Sequence, residues 1–117
     1  MKTPKRFEIW LVNWNPGRSS EQEGIRPALV IQTDAGNTNP SYPNTIVLAM
    51  STKGRRIPFH IRIESSIENC LKNTSFVKCE QILTISKERL VEKIGILEEG
   101  YAGEIEKALK LVLELGS

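Results

Sequence analysis

The chain has 117 residues, of which 39% are hydrophobic and 26% charged, with a formal net charge of +2. That length suits one domain over residues 1–117 with a real core, and the balanced composition excludes wholesale disorder. Two cysteines, Cys70 and Cys79, are too few for a disulfide scaffold, and the apolar run Ile9–Val12 is far too short for a signal core or membrane span; a soluble, cytoplasmic protein is expected.

In chain order, Phe7–Val12 is rich in aromatic and branched residues and reads as a first strand. Asn13–Gly24 is polar, with Asn15-Pro16-Gly17 as a turn signal. The short apolar runs Pro27–Gln32 and Thr45–Met50 predict buried strands on either side of the loop Asp34–Asn44. Phe59–Ile63 alternates, with Phe59, Ile61 and Ile63 on one face and His60 and Arg62 on the other. Phe76–Thr84 supplies a fifth strand, and Ser86 is positioned to N-cap a short helix through Val91. From Glu98 onward, Tyr101, Ile105, Ala108, Leu109 and Val112 recur at helical spacing, although Gly100 and Gly103 weaken the first turn. Short strands followed by a terminal helix predict a mainly β fold, a small and strongly bent antiparallel barrel with a C-terminal helix.

Charge is unevenly spread. Residues 1–63 carry nine lysines and arginines against four acids, net +5, whereas residues 64–117 are net −3. The basic half suits a polyanionic partner, or is a chance scatter of solvated charge. A single histidine, His60, rules out a pair of imidazoles acting as acid and base. No Cys-x-x-Cys, His-Glu-x-x-His or glycine-rich phosphate loop is present, so neither a metal centre nor a cofactor is expected. Arg26 stands where the polar segment Ser20–Gly24 meets the strand beginning at Pro27. A guanidinium held there by rigid structure suits a phosphate group, or else a structural pair with Glu21 or Glu80.

The block Ser20-Glu21-Gln22-x-Gly24-x-Arg26-Pro27-Ala28-Leu29-Val30-Ile31-Gln32, preceded by Trp10-Leu11-Val12 and Asn15-Pro16, resembles the MazF/PemK/Kid family of toxin endoribonucleases. The likeness continues through Asp34-x-Gly36-Asn37, Thr45-Ile46-Val47, Pro58-Phe59-His60, Glu80-Gln81-Ile82-x-Thr84-Ile85 and Lys87-x-Arg89-Leu90. It implies an SH3-like barrel of the PemK/Kid/CcdB type, forming a homodimer and opposed by a cognate MazE-like antitoxin with an acidic segment. It implies metal-free, ribosome-independent cleavage of single-stranded RNA at short sequences. The catalytic arginine falls on Arg26. The second catalytic residue, usually a threonine, falls on Ser51, with Thr52 as the alternative hydroxyl.

The chemistry fits these residue types. RNA carries its own nucleophile, and attack by the 2′-hydroxyl builds charge on the phosphate that Arg26 can meet with two donors. Preorganised stabilisation of that kind is worth about 3–4 kcal/mol for each donor lost. The products would be a 2′,3′-cyclic phosphate and a 5′-hydroxyl. The general base is open: Glu21 and His60 are candidates for a catalytic or RNA-orienting role, and His60 equally suits a satisfied surface histidine.

The resemblance further implies RNA contacts from Ser20, Gln22, Pro58 and Gln81. Lys53, Arg55 and Arg56 form a patch suited to tracking phosphates, or an ordinary solvated hairpin. Trp10 and Trp14 are candidates for base stacking, Trp10 being better suited to the core. The Asp34–Asn44 loop, longer than in typical relatives, would alter the recognised sequence. Two other functions stay open: a CcdB-like toxin that binds DNA gyrase without cutting RNA, and a nucleic-acid-binding barrel whose cleavage has lapsed.

Overall fold

A computed structural model describes residues 2–15 and 24–116. The described residues form strands β1 (Glu8–Asn13), β2 (Ile25–Val30), β3 (Asn44–Ser51), β4 (His60–Ile63), β5 (Ser75–Ser86) and β6 (Leu90–Ile96). One helical turn, α1 (Asp34–Asn37), follows β2, and the helix α2 (Glu99–Leu113) follows β6. All strand pairs are antiparallel, in the order β4-β5-β3-β2-β1-β6. The mainly β architecture with a C-terminal helix is the expected one.

Period-two alternation divides the apolar side chains between two clusters. Ile9, Leu29, Leu48, Met50, Ile61, Ile63 and Val77 pack on one side together with Ile105 and Ala108 of α2. Trp10, Val12, Ala28, Val30 and Val47 form the other cluster with Trp14, Ile85 and Leu90. Burial on both faces is why β2 and β3 read as continuous apolar runs instead of alternating ones.

Curvature comes from β5. Its pairing with β3 jumps from Leu48↔Ile82 to Ala49↔Lys78, so Cys79, Glu80 and Gln81 are extra residues that bend the strand. Within that bend, Cys79 N–H donates to the Phe59 carbonyl at 2.9 Å. The sheet closes through the segment after β4, which crosses to the opposite edge strand. Ile96 N–H donates to the Glu68 carbonyl at 3.0 Å, and a Cβ on Gly95 would lie 2.3 Å from the Asn69 carbonyl oxygen. Only glycine allows that approach. Buried Asn69 organises the crossing: its Oδ1 accepts from Ser66 and Leu71 N–H, and its Nδ2 donates to the Glu64 carbonyl and to Glu98 Oε1.

Three segments differ from the sequence expectations. Ser86 does cap a helical turn, its Oγ accepting from Glu88 N–H at 3.2 Å, but the turn is a 3-10 helix of Lys87–Arg89 only. The chain then enters β6, an additional strand where a helix through Val91 was expected. The Asp34–Asn44 loop opens with α1, pinned by the buried Asn37, whose Nδ2 donates to the Gln32 carbonyl and whose Oδ1 accepts from Gln32 Nε2 and Thr45 Oγ1. Lys87, 2% exposed, donates from Nζ to the carbonyls of Gly36 and Asn39 at 2.9 and 3.2 Å.

Candidate functional site

β2 begins where β3 ends, and this shared end of the sheet carries most of the candidate residues. The β2–β3 ladder runs Val30↔Val47, Leu29↔Leu48, Ala28↔Ala49 and stops at Pro27, which has no N–H to donate. Extended by two positions, the same register sets Arg26 level with Ser51. Val12 lies opposite Arg26 on β1, Phe76 opposite Ser51 on β5, and Arg62 opposite Phe76 on β4. Directly paired residues share a face, so Arg26, Ser51, Phe76 and Arg62 form one row on the face away from α2. One row further in, His60 pairs with Lys78, and Lys78 with Ala49. Residues far apart in sequence are thus brought into one basic strip.

Of the two candidate hydroxyls, Ser51 is the one in the Arg26 row. It is half-buried, and its Oγ accepts from Lys53 N–H at 3.1 Å. Thr52 is exposed and lines a cavity of about 390 Å³ with Leu11, Pro27, Leu71 and Ile94. Leu11 and Pro27 pair with each other across β1 and β2, one position out of phase with Val12 and Arg26. Their side chains therefore belong to the other face of the sheet.

The loop from Thr52 to Phe59 folds back over the Ser51 end. A Cβ on Gly54 would come within 2.2 Å of the Phe76 ring, so this loop can lie on Phe76 only because residue 54 is glycine. Lys53, Arg55, Arg56 and Pro58 are exposed along it. His60 ties the loop down: its Nδ1 accepts from Arg55 N–H at 3.0 Å, and its Nε2 lies 2.8 Å from Glu80 Oε2. Those partners fit the tautomer protonated on Nε2, with Nδ1 as acceptor. His60 is accordingly an anchored side chain, with both ring nitrogens in use. Gln81, half-buried, follows Glu80 in the β5 bend.

Ser20, Glu21 and Gln22 lie outside the described residues. The neck of their segment is well defined: Trp14 N–H donates to the Gly24 carbonyl at 2.8 Å, and Gly24 N–H to Asn15 Oδ1 at 3.0 Å. Arg89 clamps that neck by donating from Nη1 to the carbonyls of Asn13 and Asn15 at 3.0 and 2.8 Å. The segment is thereby rooted two residues from Arg26.

The expectation for Trp14 needs correction, and the 34–44 loop lies at the other end of β3. Trp14 is buried in the second apolar cluster at 8% exposure and presents no face for base stacking, while Trp10, at 7%, has the core place expected of it. Trp10 also donates from Nε1 to Glu8 Oε1 at 2.9 Å, which suits a structural role. The Asp34–Asn44 loop enters β3 at Asn44, whereas Ser51 ends that strand. Seven residue-to-residue steps separate the two by roughly 23 Å at 3.3 Å per step, so within this chain the loop's entry to β3 stands clear of the Ser51 end.

The sequence did not single out Lys78, Glu80 or Arg89 as site residues, because each arrives by pairing or by a long-range hydrogen bond. Arg62 had a signal, the alternation that set it beside His60, and its guanidinium is paired with Glu64 at 3.0 Å. Among the described residues cations therefore dominate this end of the sheet: Arg26, Lys53, Arg55, Arg56, Arg62 and Lys78, against Glu64 engaged by Arg62 and Glu80 engaged by His60. Among the described residues no three His, Cys, Asp or Glu side chains group as metal ligands. A strip of this kind suits phosphates, and a serine level with an arginine on adjacent strands is placed to address one phosphate from two sides.

Known proteins share both the sequence and the fold. The family described as PemK-like, MazF-like toxin of type II toxin-antitoxin system matches residues 5–113. Endoribonuclease MazF of Staphylococcus epidermidis is 36% identical over 116 residues, covering 97% of this chain and 93% of the relative. An endoribonuclease solved in complex with its cognate antitoxin from Mycobacterial species superposes with a TM-score of 0.80 at 21% identity, covering 97% of this chain and 98% of that one. MazF from Deinococcus radiodurans gives a TM-score of 0.80 at 19% identity, covering 98% and 100%. At such identities the structural likeness establishes the fold.

Proposed function

Since the chain belongs to the PemK-like, MazF-like toxins of type II toxin-antitoxin systems, we propose that it is a sequence-specific endoribonuclease that cuts single-stranded RNA through the RNA's own 2′-hydroxyl. The observation that carries this reading is the alignment of Arg26 with Ser51 at one end of the sheet, beneath a basic loop.

In the proposed mechanism the scissile phosphate sits between Arg26 and Ser51. Arg26 is permanently cationic and offers paired N–H donors to the non-bridging oxygens as the 2′-oxygen attacks. Ser51 donates a hydrogen bond from its hydroxyl to the same phosphate, its oxygen held in place by Lys53 N–H. Strand pairing holds the backbone of each residue, Arg26 against Val12 and Ser51 against Phe76, so both side chains start from a set position as charge builds up. The 2′-hydroxyl loses its proton to water as its oxygen bonds to phosphorus, and the P–O5′ bond breaks with the leaving 5′-oxygen taking a proton from water, giving a 5′-hydroxyl and a 2′,3′-cyclic phosphate. The nucleophile and the charge stabilisation are supplied by RNA and by Arg26, so the scheme calls for no metal or cofactor. Lys53, Arg55, Arg56 and Pro58 guide the strand, together with Gln81 and with Ser20, Glu21 and Gln22 of the neighbouring segment.

The same basic strip suits an acidic antitoxin segment that would cover Arg26 and block RNA. A homodimer acting in the cytoplasm completes the reading, with the exposed Leu111, Leu113 and Leu115 offering apolar surface to a second copy. Among the described residues no helix is long and apolar enough to cross a membrane.

The test is incubation of purified protein with a long single-stranded RNA in EDTA, with the ends mapped and Arg26→Ala run in parallel. Discrete cuts bearing cyclic phosphate, absent from the variant, are expected. A folded protein that makes no cuts at any salt would overturn the proposal, and gyrase inhibition would then separate a CcdB-like toxin from a lapsed nuclease.

A further inference from the structure

The His60 contacts carry an inference about a residue that the proposed mechanism leaves unused. Glu80 sits in the β5 bend, at the position where the β3–β5 register jumps, and its side chain is one-third exposed. Its Oε2 lies 2.8 Å from His60 Nε2, while the other ring nitrogen accepts the Arg55 amide proton at 3.0 Å. The His60 side chain is only 5% exposed, and the edge of its ring system meets the Phe59 ring at right angles with centroids 5.8 Å apart. The imidazole is thus a fixed bridge from the bend of β5 to the backbone of the basic loop.

The two ends of the bridge are coupled through the tautomer. A neutral imidazole carries one proton, so donation from Nε2 leaves a lone pair on Nδ1 and donation from Nδ1 removes it. A carboxylate at Nε2 holds the proton there, as carboxylates commonly do for oriented histidines. Without Glu80 no other hydrogen-bond partner at Nε2 among the described residues favours that form, and the Arg55 amide faces a nitrogen that is protonated part of the time. We propose that Glu80 is a positioning residue: by fixing the His60 tautomer it holds the Arg55 backbone, and with it the Lys53–Arg56 cations, over the Arg26–Ser51 row. The role rests on reading that loop as an RNA contact. Glu80 touches neither phosphate nor base. It acts on substrate binding and not on the bond-breaking step.

The test uses Glu80→Ala and His60→Asn in the full chain, first without RNA. Backbone amide exchange at Arg55 and the ¹⁵N shifts of the His60 ring report the bridge directly. In Glu80→Ala the ring nitrogens shift toward a tautomer mixture, and Arg55 exchange accelerates about fivefold, the scale of one modest hydrogen bond. His60→Asn keeps an acceptor near the Nδ1 position and preserves much of the Arg55 protection. With RNA, KM of Glu80→Ala rises about fivefold while kcat holds, whereas a merely structural role would lower the unfolding midpoint and leave that split unseen. Unchanged Arg55 exchange in Glu80→Ala overturns the proposal. So does faster exchange with an unaltered KM. Wild-type protein that cuts no RNA overturns the ribonuclease reading instead, and the exchange data still decide whether Glu80 holds the loop.

Discussion

In the proposed mechanism, the choice of hydroxyl beside Arg26 turns on a single strand position. Ser51 ends β3 in the Arg26 row, while Thr52, one residue on, joins the wall of a cavity with Leu11 and Pro27. A one-residue step in a strand reverses the side-chain direction. Ser51→Ala is therefore expected to lower kcat for RNA by about 10²-fold, the lower end of what one oxyanion donor contributes. Thr52→Ala should change kcat less than threefold, about the scale of a weak peripheral hydrogen bond. Single-turnover cleavage of a short RNA by the two variants checks this; a larger defect in Thr52→Ala would move the site by one residue. The cysteines stand apart from the chemistry. Cys79 is buried, and burial, with the neighbouring Glu80 charge adding to it, pushes its thiol up to about 12, so it is no nucleophile at neutral pH.

Among the elements, the 33–44 connection shows how a polar loop is fixed far from the site. Asp34 Oδ1 accepts from Arg6 N–H at 2.7 Å and from Asn37 Nδ2 at 3.1 Å. The Arg6 amide above all, and Asn37 after it, hold the Asp34 carboxyl below its ordinary 3.8, burial opposing them only in part. A carboxylate depressed in the folded state adds stability above its unfolded value, and that contribution disappears as pH falls through the folded value. Asp34→Ala should accordingly lower the urea midpoint at neutral pH, and the gap from wild type should close below pH 3.8. Parallel unfolding curves with a gap independent of pH would show that the carboxylate charge is not what counts.

The elements also differ in how plainly the sequence announces them. β1 to β5 were legible because each is a short apolar or alternating run bounded by turn residues. β6 was not. Val91 and Ile96 are 39% and 49% exposed, and register shifts against β1 interrupt the alternation, so Leu90–Ile96 shows no clean period of two. The capped turn just before it imitated a helix start. Of the candidate site, Arg26 was proposed from the block around it and Ser51 from the resemblance. Lys78 and Glu80 became site neighbours only through strand pairing and the bend, neither of which local composition encodes.

For the whole molecule, the sheet gathers charge that the linear sequence disperses. Lys53, Arg55 and Arg56 come from one loop, Arg26 from the start of β2, and Arg62 and Lys78 from β4 and β5. The Arg62–Glu64 pair, with both side chains more than half exposed, leaves Arg62 weakly committed. Phosphates bound to such a strip displace counterions, and for single strands each neutralised phosphate adds about 0.7 to the slope of log affinity against log salt. Replacing Lys53, Arg55 and Arg56 together by glutamine should reduce that slope by about two and weaken binding at low salt, with the fold unaffected because all three side chains are exposed. A 2′-deoxy oligonucleotide is the suitable probe, since it keeps the phosphates and lacks the attacking hydroxyl. Fluorescence anisotropy across a salt series gives the slope for both proteins. An unchanged slope would mean that the loop cations do not follow the strand, and the strip would then reduce to Arg26, Arg62 and Lys78 on the sheet itself.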